Sequence, residues 1–101
     1  MPEPIQGFQW DASKSRTNLI KHGIAFDDAT EIFYGTHIIR RSKYGPEERW
    51  IAVGEAAGRL IAVIYTWRGK QVRIISARRA RAHEERAYRD ETVGRPPQGQ
   101  D

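Results

Sequence analysis

Three apolar runs lying close together in the chain constrain its fold more than any other feature. RWIAVG (49–54), RLIAVIYTW (59–67) and VRIISAR (72–78) are rich in Ile, Val, Tyr and Trp and are joined by links of a few residues. Links that short cannot hold a crossover, so neighbouring runs must be antiparallel strands. Gly58 closes the first link, and Gly69-Lys70 suits a two-residue hairpin with glycine at its first central position. HIIRRS (37–42) reads as a further strand, cut off by the turn-like Lys43-Tyr44-Gly45-Pro46, and Phe8-Gln9-Trp10 is a short alternating stretch suited to a sheet edge.

Helices flank these strands. Asp11 is a good N-cap for ASKSRTNLIKH, which Gly23 ends, with Lys21 and His22 at the negative end of the dipole. Asp28 and Glu31 have capping-box spacing, with Ala29, Ile32 and Phe33 as an apolar face before Gly35 stops a second helix. Ala80 to Glu91 reads as a third, with Arg81, Glu85 and Arg89 at i, i+4 spacing. The expected architecture is α+β: two short N-terminal helices, an antiparallel sheet of three to four strands, and a C-terminal helix. At 101 residues the chain suffices for one core, so residues 1–93 are expected to form a single domain and GRPPQGQD (94–101) a flexible tail.

Composition narrows the chemistry. There is no cysteine, and His22, His37 and His83 are scattered, so no metal site and no cofactor are expected. No glycine-rich phosphate loop appears, and the carboxylates lack the pairing that two-metal nucleases use. Without an apolar run of membrane-spanning length or a signal-peptide layout, the protein is expected to be soluble and cytoplasmic. The net charge of +4 is unevenly placed: residues 1–67 hold eight basic and eight acidic residues, residues 68–101 nine against five. A local basic field suits a phosphate, a nucleic acid or an acidic protein, the alternative being a solvated, salt-bridged surface.

The hairpin links predict a register. Arg68 faces Gln71, Thr66 faces Arg73 and Ile64 faces Ile75. Across the other link Val53 faces Leu60, Arg49 faces Ile64 and Glu47 faces Thr66. Alternation then gathers Glu47, Arg49, Thr66, Arg68 and Arg73 on one side, at one end of the sheet. Trp50, Val63, Tyr65, Trp67, Val72 and Ile74 fall on the other side, against helices. The plainer reading of Glu47 is a surface bridge to an arginine.

Arginines, with a His, a Glu or a Tyr, can run one chemistry without a metal. RNA carries its own nucleophile, the 2′-hydroxyl. Cleavage needs a base for that proton, cations for the extra charge on phosphorus, and an acid for the leaving 5′ oxygen. Arg49, Arg68, Arg73 and Arg78 suit the middle task, since guanidinium is always charged and presents a planar fork to phosphate. Glu47 and His22 are alternative bases, although His22 also fits as a mere cap-region residue. Lys21, Arg49, Arg79 and Tyr88 are candidate substrate-binding residues. Tyr65 fits the core better than a base-stacking role.

Several motifs, in order from Phe8 to Tyr88, resemble BrnT-like toxins. They are F-x-W-D-x-x-K (Phe8, Trp10, Asp11, Lys14), N-x-x-K-H-G-I-x-F (Asn18 to Phe26), A-x-x-x-F (Ala29, Phe33) and E-R-x-x-x-x-G (Glu48, Arg49, Gly54). V-x-Y-T-x-R-G (Val63 to Gly69), R-I-I-S-A-R-x-A (Arg73 to Ala80) and E-x-x-x-Y (Glu84, Tyr88) complete the series. The resemblance implies a RelE-like fold and a metal-independent ribonuclease that arrests growth. It also implies the toxin half of a type II toxin–antitoxin pair. The BrnA-like antitoxin would carry the DNA-binding domain, so operator DNA is met only through it, in a complex of two toxins and two antitoxins. Carried over residue by residue, the resemblance points to Arg68, Arg73 and Arg78, with His22 and Glu47 as additions. Two other readings stay open: a partner-binding module that contributes only to operon repression, and an RNA binder that does not cut.

Overall fold

The structure, a computed structural model, describes residues 4–43, 45 and 47–93. The elements run β1 (Phe8–Gln9), α1 (Ala12–His22), α2 (Phe26–Ala29) tightening into a 3-10 turn (Thr30–Tyr34), then β2 (His37–Ser42), β3 (Arg49–Ala56), β4 (Arg59–Arg68) and β5 (Gln71–Arg79). α3 (Ala82–Tyr88) and a π-helical turn (Arg89–Val93) follow. The strands form one sheet in the order β1-β5-β4-β3-β2. β2 to β5 are antiparallel neighbours, whereas β1 lies parallel to β5. The expected α+β class holds, but the sheet is mixed and has five strands, not three to four antiparallel ones. The Phe8-Gln9-Trp10 stretch supplies the fifth strand, at the sheet edge as expected, but no local pattern gives its parallel pairing more than sixty positions away (Phe8 with Val72).

Both hairpins form, one tighter than expected. Ala57 (φ 52°) and Gly58 (φ 77°) make a two-residue turn with both central residues in the left-handed region. Val53 therefore faces Ala62, not Leu60, and Ile51, not Arg49, faces Ile64. The slip is of two residues, so every side chain keeps its face. The second hairpin pairs Arg68 with Gln71 and Thr66 with Arg73, as the links predict, until Tyr65 faces Ile74 and Ile64 faces Ser76. Ile75 is thus the extra residue of a β-bulge, and the expected Ile64–Ile75 pair does not exist. The extra residue shifts the alternation of β5 by one. Ala77 joins Val72 and Ile74 in the core, and Ser76 and Arg78 turn to the side of Arg73.

One sheet face packs Ala52, Ile61, Val63, Tyr65, Val72, Ile74 and Ala77 against Ile24, Phe26, Ala29 and Ile32, with Trp50 and Trp67 at its margin. This is the helix-packed side that alternation predicts. Tyr65 is 2 % exposed, and burial pushes its phenol up to about 12, which makes it a core residue. The other face buries a smaller cluster, Ile38, Val53 and Ala62, with Ala87 and Tyr88 of the α3 segment packed on it.

α1 is capped as expected: Asp11 accepts from the Ser13 and Lys14 N–H groups, and Gly23 at φ 75° donates to Leu19 O. α2 instead starts ahead of Asp28, which lies inside its first turn. The Phe26 N–H is taken by the Ser15 hydroxyl at 3.0 Å, a tertiary partner that stands in for a local cap. Asn18 closes the exposed edge of β5: its amide donates to Ile24 O and Ala77 O, and its oxygen accepts from the Ala77 N–H. α3 starts two residues after the expected Ala80, whose N–H bonds Leu60 O, and the expected end of the helix is the π-helical turn Arg89–Val93. The expected tail (94–101) and two residues of the expected turn, Tyr44 and Pro46, lie outside the described residues. Among the described residues no helix is long and apolar enough to cross a membrane.

Candidate functional site

A polar row crosses the sheet at one level. Gln9 on β1 is in register with Arg73 on β5, and Arg73 with Thr66 on β4. One step beyond the Trp50–Tyr65 pair brings Arg49 beside Thr66, and Arg49 is in register with Ser42 on β2. With strands about 4.8 Å apart, Arg73 and Arg49 flank Thr66 at a backbone separation of roughly 10 Å. Arg68 stands two residues further along β4 on the same face, 3.6 Å from a Glu47 carboxylate oxygen. Both side chains of that pair are about half exposed, so it is a weak surface contact that a phosphate can displace.

α3 does not cover this row, although the loop of Gly45 and Glu48 lies against Arg49 and Thr66, which is 5 % exposed. Two ion pairs tie the α3 segment across the sheet: Glu84 to Arg78 of β5 near its start, and Glu91 to Arg40 of β2 at its end. Arg40 and Arg78 face Ile51 and Ala62, the rows next to Thr66. The segment therefore crosses the apolar patch and stops short of the arginines.

Each cation in the row is held differently. Arg73 donates from Nη1 to the Gln9 side-chain oxygen at 3.1 Å. Arg49 Nε is buried with no hydrogen-bond partner among the described residues. A Cβ at Gly45 would come within 2.9 Å of that Nε, so glycine (φ +102°) lets the loop lie against the guanidinium. The Thr66 hydroxyl donates to Glu48 O at 2.7 Å, which ties the loop to β4. A buried N–H donor without an acceptor is costly, and an anion is the natural partner for one on an arginine.

The other candidate residues are not brought into this row. Arg78 shares the face, but it is engaged by Glu84 through two bonds of 2.8 and 3.0 Å and also donates to Arg79 O. Burial pushes the Glu84 carboxyl up, but the Arg78 bonds, the Arg81 N–H and the Arg78 charge outweigh it, holding the group below the usual carboxylate range. Arg79 and Tyr88 line a separate cleft of about 400 Å³ with Arg59, Leu60 and Arg89, at the Gly58 end of the sheet. That cleft is six positions of β5 away from Arg73, about 20 Å. Lys21 and His22 are exposed in the last turn of α1, and among the described residues no hydrogen bond or ion pair links them to the row. No group of three or more His, Asp or Glu among the described residues could hold a metal ion.

The parts played by Gln9, Arg40 and Glu91 escape sequence reasoning, and Glu84 is legible there only as a motif residue. Gln9 matters only through the parallel pairing with Arg73. For Arg78 a signal exists: buried Val72, Ile74 and Ala77 break the two-residue period within IISA, which marks the bulge.

A family model described as the ribonuclease toxin BrnT of type II toxin–antitoxin systems matches residues 10–84. No curated protein matches the chain.

Proposed function

The chain belongs to the BrnT family of type II toxin–antitoxin ribonuclease toxins, and from that premise we propose that it is an endoribonuclease working through the open arginine row. The observation that supports this best is the placement of Arg49, Arg73 and Arg68 around Thr66 on the face that α3 leaves uncovered. A phosphodiester laid along the row meets guanidinium groups on both sides. The 2′-hydroxyl of the preceding ribose attacks phosphorus as a base takes its proton. The bond from phosphorus to the 5′ oxygen breaks, and that oxygen receives a proton, leaving a 2′,3′-cyclic phosphate and a 5′-hydroxyl end. Glu47, beside Arg68, is the carboxylate best sited to be the base. The reaction as written needs no metal. Arg78 serves it indirectly in this reading, by holding α3 in place.

In the wider reading the domain is RelE-like and the protein acts in the cytoplasm, where RNA cleavage stops translation and growth. A BrnA-like antitoxin neutralises it in a complex of two toxins and two antitoxins, and operator DNA is bound only through the antitoxin. The experiment is growth of cells expressing this chain alone, beside Arg73→Ala, with total RNA run on a gel. Arrest and RNA fragmentation by the parent, lost in a folded variant, support the reading. Normal growth and intact RNA from a well-expressed, folded parent overturn it.

A second reading, a non-catalytic module that binds a partner and contributes to operon repression, is favoured by a different feature. An apolar groove of about 550 Å³ lies on the opposite sheet face, lined by Ile5, Phe8, Phe33, Tyr34, Ile39 and Trp67 among others. Tyr34 is 81 % and Ile39 38 % exposed there, a patch suited to a protein partner. Antitoxin binding by a folded parent that leaves RNA intact favours this reading.

A further inference from the structure

Arg73 sets the orientation of two carboxamides. Its Nη1 donates to the Gln9 oxygen at 3.1 Å, and a guanidinium has donors only, so the Gln9 oxygen must face it. The Gln9 NH2 therefore points the other way, where it donates to the Gln71 oxygen at 2.8 Å. That bond in turn leaves the Gln71 NH2 as the end of the ladder, a pair of donors with no acceptor among the described residues. Gln71 is exposed, and β-sheet register sets it opposite Arg68 and two residues before Arg73. The backbone makes room for it. A Cβ at Gly7 would lie 3.0 Å from the Gln71 amide nitrogen, so the amide lies over the Gly7 backbone.

We propose that Gln9 and Gln71 form a nucleobase subsite beside the arginine row, selective for guanine and uracil, which carry a carbonyl oxygen (O6 or O4) where adenine and cytosine carry an amino group. The inference rests on the ribonuclease reading. A freely rotating glutamine serves donors and acceptors alike by flipping its amide. Here a flip breaks the bond to Gln9 and sets NH2 against NH2, so the donors stay at the end of the amide away from Gln9. Guanine O6 and uracil O4 accept from it. The amino groups of adenine and cytosine at the corresponding positions put N–H against N–H, and the unpaired donors select against them. One lost hydrogen bond of this kind corresponds to about a tenfold preference.

The test uses the full chain and four short RNAs that differ only in the base next to a single scissile bond. Cleavage rates are measured, together with affinities for matched RNAs made uncleavable by 2′-O-methylation. The parent is expected to favour guanine and uracil about tenfold in rate, affinity or both. Gln71→Glu keeps an acceptor for Gln9 but turns an acceptor outward, and is expected to reverse the preference towards adenine and cytosine. Gln9→Leu frees Gln71 to flip and is expected to flatten it. Equal treatment of the four bases by a parent that cuts RNA overturns the subsite while leaving the ribonuclease reading standing, as does an unchanged preference in Gln71→Glu. A parent that binds all four equally and cuts none overturns both, as does one that binds no RNA.

Discussion

Arg78 on β5 and Glu84 on α3 meet through two nitrogen–oxygen bonds of 2.8 and 3.0 Å, with side chains only 17 % and 9 % exposed. The pair exists because the bulge at Ile75 turns Arg78 to the α3 side; with unbroken alternation it would point into the opposite core. Removing one partner leaves a buried charge uncompensated. Arg78→Met and Glu84→Leu are each expected to lower unfolding stability by about 3 kcal/mol. The double variant is expected to lose less than the sum, because neither charge is then stranded. Urea unfolding of the four proteins checks this, and additive losses would sink the idea that the pair acts as a unit.

The same carboxyl gives a pH dependence of known sign. Its folded value is depressed, so at a given mildly acidic pH the unfolded chain binds more protons. The stability it contributes is fully present above the unfolded value, about 4.3 for a glutamate, and is lost as pH falls through the folded value. Asp11 adds a loss of the same sign, its carboxyl held low first by the Ser13 hydroxyl and then by the Lys14 and Ser13 N–H groups. The urea midpoint is expected to fall below about pH 4.5, and Glu84→Gln to show a shallower fall than the parent. Parallel curves for the two proteins would assign the acid sensitivity elsewhere.

Asn18 joins three backbone groups, the carbonyls of Ile24 and Ala77 and the N–H of Ala77, and is itself 7 % exposed. Leucine at this position fills similar volume and satisfies none of them. Asn18→Leu is expected to cost about 2–4 kcal/mol and to speed amide hydrogen exchange at Ala77 before it affects Phe8 or Gln9 at the β1 edge. Unchanged protection at Ala77 would mean that the edge of β5 is closed by something else.

What could be read from the sequence follows how local each interaction is. The β4–β5 hairpin was legible because Gly69 fixes both its turn and the pairing of Thr66 with Arg73. The β3–β4 link is two residues shorter than its spacing suggests, yet the gathering of Arg49, Thr66, Arg68 and Arg73 on one face holds, since an even slip preserves alternation. Local alternation marks β1 as an edge stretch but not its partner, which lies more than sixty positions away, so the placement of Gln9 beside Arg73 is not legible. The reach of α3 depends on the distant pairs to Arg40 and Arg78, so which arginines stay open could not be read from spacing alone. Lys21 and His22 lie in the last turn of α1, and among the described residues no hydrogen bond or ion pair links them to the row.

The row itself makes a quantitative expectation for RNA affinity. Each cation that neutralises a phosphate releases condensed counterions, and on a single strand each contributes about 0.7 to the slope of log affinity against log salt. Arg49→Ala, Arg68→Ala and Arg73→Ala are each expected to weaken binding to uncleavable RNA and to reduce that slope by roughly 0.7. Arg79→Ala is the contrast, because Arg79 lines the separate cleft at the Gly58 end. If the RNA lies along the row, that variant keeps the parent slope. If the strand instead runs the length of β5 from one end to the other, Arg79→Ala loses as much as Arg73→Ala. The measurement therefore reports the direction of the RNA path as well as the cations that hold it. Arg78→Ala is not a usable member of the series, since its loss disturbs α3 and with it the boundary of the open face.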